Sequence, residues 1–217
     1  MEDFEMSKVY GLAEECQTKL KEDINSPLSV FRNICDLFDY FPLAAVIVEK
    51  NVDKILCVHS GIGENTKYLE DIASVKKPYN IYESPVAMDI LWSSPAEINT
   101  ENGYTKNNFT TNLRKKFFDE SMVAEFMKNN KINLIIRSHD VIESGYDTLY
   151  NNKVISIFSA TNYCNLHNNS GGILFIKKNF EIQPKILTGD ENFSVWLDES
   201  ENKKEFPPSP KKIFTKK

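Results

Sequence analysis

Two short apolar runs in this chain end in histidine. Lys54-Ile-Leu-Cys-Val runs into His59-Ser60-Gly61, and Asn133-Leu-Ile-Ile runs into Arg137-Ser138-His139-Asp140. Each run has the length and aliphatic content of a strand covered on both faces, and each turns polar at its exit. Loops leaving a rigid frame are where functional side chains commonly sit. Neutral imidazole is the commonest protein ligand for a transition metal, and two of the chain's three histidines occupy these matching positions. The second exit adds a guanidinium and a carboxylate, Arg137 and Asp140. For either histidine alone the bland alternative is a satisfied structural side chain; for the two together both readings stand. A nucleophilic Cys164 with a histidine beside it is a further arrangement, against which stands the inert cysteine more usual in a loop.

The elements that must position these groups are legible from periodicity. Val9, Leu12, Ala13, Cys16 and Leu20 predict one helix over Met6 to Leu20. Ser26 and Pro27 predict the start of a second, whose buried stripe is Leu28, Phe31, Ile34, Cys35 and Phe38. Leu43 to Val48 and Lys54 to Val58 read as a strand pair turning at Glu49 to Asp53. Tyr68, Leu69 and Ile72 mark a short helix, followed by a long loop towards Met88-Asp-Ile-Leu-Trp92-Ser-Ser-Pro95, in which Trp92 reads as a core anchor. Ala96 to Asn112 reads as a surface loop. Phe118, Met122 and Phe126 mark a helix ending near Asn129-Asn130. Strands follow at Leu134 to Ile136, Val154 to Phe158 and Ile173 to Ile176, the last after a Gly171-Gly172 break. Helices gathered early and strands late predict a mixed α+β fold.

Composition bounds the function. A chain of 217 residues with 41% hydrophobic and 26% charged residues is globular and long enough for one substantial core. The net charge of -5 offers no footprint for nucleic acid. The longest apolar run, Phe41 to Val48, contains Pro42 and is far too short to cross a membrane. No charged-then-apolar leader opens the chain, so an intracellular location, cytoplasmic or nuclear, is expected. Cys16, Cys35, Cys57 and Cys164 lie far apart, which speaks against a disulfide framework and a zinc knuckle. The expected organisation is one domain portion over 1–187 and a disordered, charged, proline-containing tail over 188–217. In that tail Ser209-Pro210 matches a proline-directed kinase site, a pattern that is usually accidental.

Four motifs stand in order: Cys57-Val-His59-Ser-Gly61-Ile62, Leu91-Trp-Ser-Ser-Pro95, Arg137-Ser-His139 and Phe158-Ser-Ala-Thr-Asn-Tyr163-Cys164. Together they resemble the C-terminal half of a metal-dependent protein serine/threonine phosphatase of the phosphoprotein phosphatase family. The Gly61-Ile62-Gly63 and Ala-Thr-Asn-Tyr-Cys wording is most similar to the members that carry kelch repeats. The resemblance implies a metallophosphoesterase β-sandwich flanked by helices, mostly one sheet of it in this chain. It implies two divalent metal ions, manganese, iron or zinc, activating a water against phosphoserine or phosphothreonine. His59 and His139 match metal ligands, with Arg137 and Asp140 behind them. Tyr163 matches a tyrosine lining the site, Cys164 a neighbour on the loop where inhibitors dock, and Arg114 a phosphate-clamping arginine. A phosphoprotein substrate and a regulatory subunit are the implied partners.

The departures from the pattern matter as much. The family's Gly-Asp-x-His, Gly-Asp-x-Val-Asp-Arg and Gly-Asn-His-Glu stretches do not occur, so the chain is expected to be cut just past them, without the bridging aspartate, three further ligands and the general acid. Two neutral histidines cannot by themselves offset the charge of a dimetal pair. Ser60 stands where a second glycine is usual, and Ser94 where aspartate is. Two readings follow: a phosphatase catalytic region, or a phosphatase-like interaction protein without hydrolysis. One sheet without its partner is also expected to leave an apolar face uncovered and to favour self-association.

Overall fold

The computed structural model describes residues 4–49, 53–96, 98–99, 103–104 and 116–188. Arg114, most of the Asn- and Thr-rich stretch over 96–112, and the tail from 189 with Ser209 lie outside the described residues.

The opening apolar pattern makes two helices, α1 (Phe4–Val9) and α2 (Leu12–Leu20), where periodicity predicts one. Gly11 separates them with a left-handed φ of 94°, a conformation open to glycine and incompatible with a continuing helix. The next helix, α3 (Val30–Phe38), begins at Val30 and not at Pro27. Ser29 caps it by accepting from the Arg32 N–H at 3.2 Å, while the Glu22 carboxylate accepts from the N–H groups of Val30 and Phe31 at 2.7 and 2.9 Å. A carboxylate at the positive end of the helix, satisfying two otherwise free amides, outweighs the Ser26-Pro27 start signal. Leu28 is therefore left 86% exposed, outside the stripe predicted for it. Phe31, Cys35, Ala13 and Cys16 close a small core among the three helices.

β1 (Ala44–Glu49) and β2 (Asp53–Val58) form the predicted antiparallel pair. Then come α4 (Leu69–Ala73), α5 (Pro85–Trp92), β3 (Ser93–Pro95), β4 (Ile98–Asn99), β5 (Gly103–Tyr104), β6 (Lys116–Phe118) and α6 (Glu120–Asn130). β7 (Leu134–Arg137), β8 (Tyr146–Leu149), β9 (Val154–Ile157), β10 (Gly171–Ile176) and β11 (Ile182–Leu187) follow. The loop predicted to lead to Met88 ends sooner, at Ser84, because Ser84 accepts from the Ala87 N–H at 3.2 Å and Pro85 takes the first turn of a helix that runs to Trp92. Phe118 belongs to β6, since Asp119 caps α6 directly after it by accepting from the Met122 N–H at 2.9 Å.

The main sheet has the order β1-β2-β7-β9-β8, with β2, β7 and β9 parallel and the outer strands antiparallel. Parallel inner strands need cover on both faces, and side-chain alternation supplies it. Leu56, Val58, Ile135 and Val154 share a core with Ala87 and Ile90 of α5 and Val123 and Phe126 of α6. Ile55, Leu134, Ile136 and Ile155 face the other way, towards Phe180, Ile182 and Leu174 around the β10–β11 hairpin. This is the mixed α+β class predicted. The two glycines predicted to break before β10 lie inside it: a Cβ at Gly171 would come within 2.5 Å of the Ser159 carbonyl oxygen, and one at Gly172 would collide with that of Gly145. Apolar surface remains open on β1 at Val46, Ile47 and Val48 and on β10 at Ile173 and Phe175.

Candidate metal centre

β2 and β7 run parallel with Cys57 beside Ile136, so both exits leave one edge of the sheet. The main chain ties them, the Ser138 N–H donating to the His59 carbonyl at 2.8 Å. The two imidazoles then meet. His59 Nε2 lies 3.1 Å from His139 Nδ1, with the rings at 81°. Trp92, predicted as a core anchor, is half-buried and stands edge-on to the His139 ring at 5.4 Å between centroids.

His139 reaches this place through an unusual backbone. Its φ is 76°, and the Asp140 N–H donates back to the Ser138 carbonyl at 3.0 Å. A bond across two residues with positive φ between them is the rarer form of γ-turn, and a residue other than glycine there stores roughly 1–3 kcal/mol of strain.

Beside the turn lies a buried guanidinium. Arg137 is 1% exposed; its Nη1 pairs with Asp140 Oδ2 at 2.6 Å and its Nε donates to the Ser60 carbonyl. Ser94 Oγ donates to Asp140 Oδ1 at 3.0 Å, and Ser60 Oγ donates to the Ser93 carbonyl. The ends of β2, β3 and β7 are thus joined through one cation. Burial holds Arg137 below its ordinary pKa and Asp140 draws it back up, and arginine stays charged throughout the working range.

The glycines after His59 explain how close this loop lies to its support. A Cβ at Gly61 would run into the Phe118 ring, and one at Gly63 into the Asp89 carboxylate. Asp89 is fully buried, which pushes its carboxyl above the usual range while the Asn65 N–H, at 2.8 Å, stabilises the ionised form.

Tyr163 and Cys164 form a second group, on the loop that leaves β9. Tyr163 is edge-on to Phe158 at 5.1 Å, and Cys164 is exposed with φ 56°. Asn169, 3% exposed, pins this loop: its side chain accepts from the Tyr163 N–H at 2.9 Å and donates to the carbonyls of Ala160 and Ser170 at 2.7 and 2.9 Å. The sequence reading missed Asn169 because nothing separates it from the other asparagines of the loop. It also missed the parts played by Ser60, Ser94 and Trp92, although both serines already stood out as departures from the family pattern.

The paired rings bear on metal binding directly. Burial, then the neighbouring His139 and Arg137, lowers the His59 pKa to about 4, so the imidazole is neutral at pH 7, and the tautomer decides which ring donates across the 3.1 Å contact. Two nitrogens bound to one cation at about 2.0–2.1 Å stand roughly 2.9–3.4 Å apart for angles between square and tetrahedral, and the observed 3.1 Å falls inside that window. The residues present fit one edge of a coordination shell. Among the described residues no group of three or more His, Cys, Asp or Glu side chains comes together to hold a metal. One pH effect follows. The unfolded chain takes up a proton at His59 near pH 6.5 and the folded chain only near 4, so below about 6.5 stability falls as pH drops towards 4. NMR titration of the metal-free imidazole should find a midpoint well under 6; an ordinary midpoint contradicts the environment described.

Comparison with known proteins converges on the same elements. The family model for calcineurin-like phosphoesterases matches residues 12–143, a span that takes in His59, Arg137, His139 and Asp140 but neither Tyr163 nor Cys164. The chain is 33% identical over 184 residues to the serine/threonine-protein phosphatase BSL2 of Arabidopsis thaliana, covering 84% of this chain and 17% of that protein. A protein serine/threonine phosphatase structure from Saccharomyces cerevisiae, described as similar to human phosphatase PP5, superposes with a TM-score of 0.68 at 24% identity, over 89% of this chain and 60% of that one. That last likeness is one of fold. The chain therefore spans a minor part of the plant relative and about three-fifths of the yeast structure. With the matched span carrying both histidine-bearing strand exits, the chain belongs to the calcineurin-like phosphoesterase family of metal-dependent phosphoesterases.

Proposed function

We propose that this chain works in a protein serine/threonine phosphatase and that His59 and His139 are ligands of its metal centre. The carrying observation is the 3.1 Å approach of two ring nitrogens from parallel strand exits. The serine/threonine phosphatase relative of 33% identity supports the choice of reaction. When bound, a pair of divalent ions such as manganese, iron or zinc supplies Lewis acidity towards phosphate oxygens and a water made acidic enough to attack. The chain's own part is to present two imidazoles at a fixed angle, with Trp92 edge-on to His139 and the Arg137–Asp140 ion pair beside the turn. Tyr163 and Cys164 would border the site from the loop after β9, and Arg114 would clamp the phosphate of a phosphoprotein. A regulatory subunit would supply substrate choice.

A second reading, an interaction protein without hydrolysis, is favoured by one observation: the described residues assemble two metal donors and no more. Phosphate release from a phosphoserine peptide with added Mn2+ separates them. Turnover that His139→Ala reduces by a hundredfold or more supports the phosphatase. Peptide binding with no release supports the interaction protein, and turnover indifferent to His139→Ala overturns the role given to the histidine.

A further inference from the structure

Strain at His139 needs something to hold it, and the only covalent neighbours are ordinary residues: Ser138 before it and Asp140 after it. Left alone, a non-glycine residue with φ near 76° relaxes towards negative φ and swings its side chain away. Both flanks of the turn are fastened. The Ser138 N–H is spent on the His59 carbonyl at 2.8 Å, which fixes the entry. On the other side the Asp140 carboxylate takes Arg137 Nη1 at 2.6 Å and Ser94 Oγ at 3.0 Å, one partner on each oxygen. Arg137 is itself buried, 1% exposed, and donates from Nε to the Ser60 carbonyl next to His59.

We propose that Asp140 is a positioning residue: its ion pair with Arg137, braced by Ser94, holds the γ-turn that aims the His139 ring at His59. The pair closes a loop of four residues, 137–140, over the turn, so neither end can move without breaking a charge-assisted hydrogen bond whose guanidinium is buried and whose carboxylate is partly exposed. Through Ser60 the same guanidinium reaches the other histidine-bearing exit, and one cation therefore sets the spacing of both rings. In this role Asp140 acts through the backbone of the turn. The positioning rests on the proposed metal site only for its consequence, which is affinity.

The geometry also says how the role can be moved. Ser94 Oγ already lies against the Asp140 carboxylate, so a carboxylate introduced at position 94 would stand within reach of the same guanidinium. Asp140→Asn alone strands a buried cation and can unfold the chain, so two double variants carry the test. Arg137→Met with Asp140→Asn removes the clamp and leaves no unpaired charge. Ser94→Asp with Asp140→Asn restores a carboxylate from β3.

The readout is the ring-current shift that the edge-on Trp92 imposes on the His139 ring protons in the metal-free chain, followed by Co2+ binding. The first double variant is expected to lose the shift and to bind Co2+ on the order of 10- to 100-fold more weakly. The second is expected to recover both. A wild-type shift in Arg137→Met/Asp140→Asn overturns the proposal, and so does a missing shift in Ser94→Asp/Asp140→Asn. If the wild-type chain shows the shift but binds no Co2+, the metal reading fails while the positioning of His139 stands.

Discussion

Replacing Phe118 with alanine is expected to cost about 3–5 kcal/mol of folding stability, the range for a large side chain deleted from a closed core. The ring is 1% exposed. It lies so close to Gly61 that a methyl group on that residue would overlap it, and it meets Tyr150 edge-on at 6.1 Å. The residue's carbonyl accepts from the Tyr150 hydroxyl at 3.0 Å and from the Ala96 N–H at 2.8 Å, so β6 is held by side chain and backbone together. Three pieces converge there: the loop after β2, the short β3–β6 pair and the β8–β9 hairpin. None can collapse into the cavity without moving another, which places the cost towards the upper end. Urea unfolding should show a lowered midpoint with little change in slope. Hydrogen exchange at Ser60, whose N–H donates to the Ile90 carbonyl at 2.9 Å, should quicken more than exchange at Ile135 in the central strand. A loss under about 1.5 kcal/mol, with Ser60 unchanged, would mean that the loop carrying His59 does not lean on this ring.

The contrast between these two probes reflects how differently the sequence encodes frame and site. β2 and β7 are legible because a strand buried on both faces has to be written as consecutive apolar residues, and Leu134, Ile135 and Ile136 can serve nothing else so well. Their polar exits are legible for the same reason, since His59 and His139 interrupt a pattern. Where two signals compete locally, the sequence is ambiguous. Ser26-Pro27 and Ser29 both read as helix starts, and the decision belongs to Glu22, eight residues before the first amide that it accepts. Gly11 inside an amphipathic run is compatible with one helix or two, because its cost in a helix is only about 1 kcal/mol and tertiary packing outweighs that. β8 and β11 escape periodicity because Tyr146-Asp-Thr-Leu149 and Gln183-Pro-Lys185 mix polar residues into strands that are only partly covered.

The turn at His139 is illegible for a different reason. Positive φ announces itself in sequence through glycine, or less strongly asparagine, and here it falls on a histidine flanked by serine and aspartate. What imposes it is a set of contacts from residues 60, 94 and 137, none of which is encoded near position 139 in a way that spacing reveals. The same holds for Asn130, which looks like a polar helix end and is in fact buried, donating to the Phe126 and Lys67 carbonyls at 2.7 and 3.0 Å and accepting from the Leu69 N–H at 2.7 Å. Polar residues that hold a fold from inside are the part of a sequence that patterning reads worst, because patterning assigns them to the surface.

His59→Ala and His139→Ala should each weaken binding of Co2+ or Mn2+ by about a hundredfold, and the double variant should be little worse than either. The magnitude follows from structural zinc sites, where about 10–16 kcal/mol is spread over four ligands, or roughly 3 kcal/mol for each. The lack of additivity follows from the distance between the nitrogens. A separation of 3.1 Å suits two neighbours on one cation, and on that reading each ring holds the ion in place for the other. Once one is gone, the second is a single imidazole whose affinity for a divalent ion barely differs from that of free imidazole. Rings serving two separate ions would behave otherwise, with losses that multiply. Calorimetric titration of the two single variants and the double variant therefore measures more than affinity: a coupling close to one full single-site effect places both nitrogens on one metal ion, whereas additive losses would assign them to different ions despite their contact in the metal-free chain.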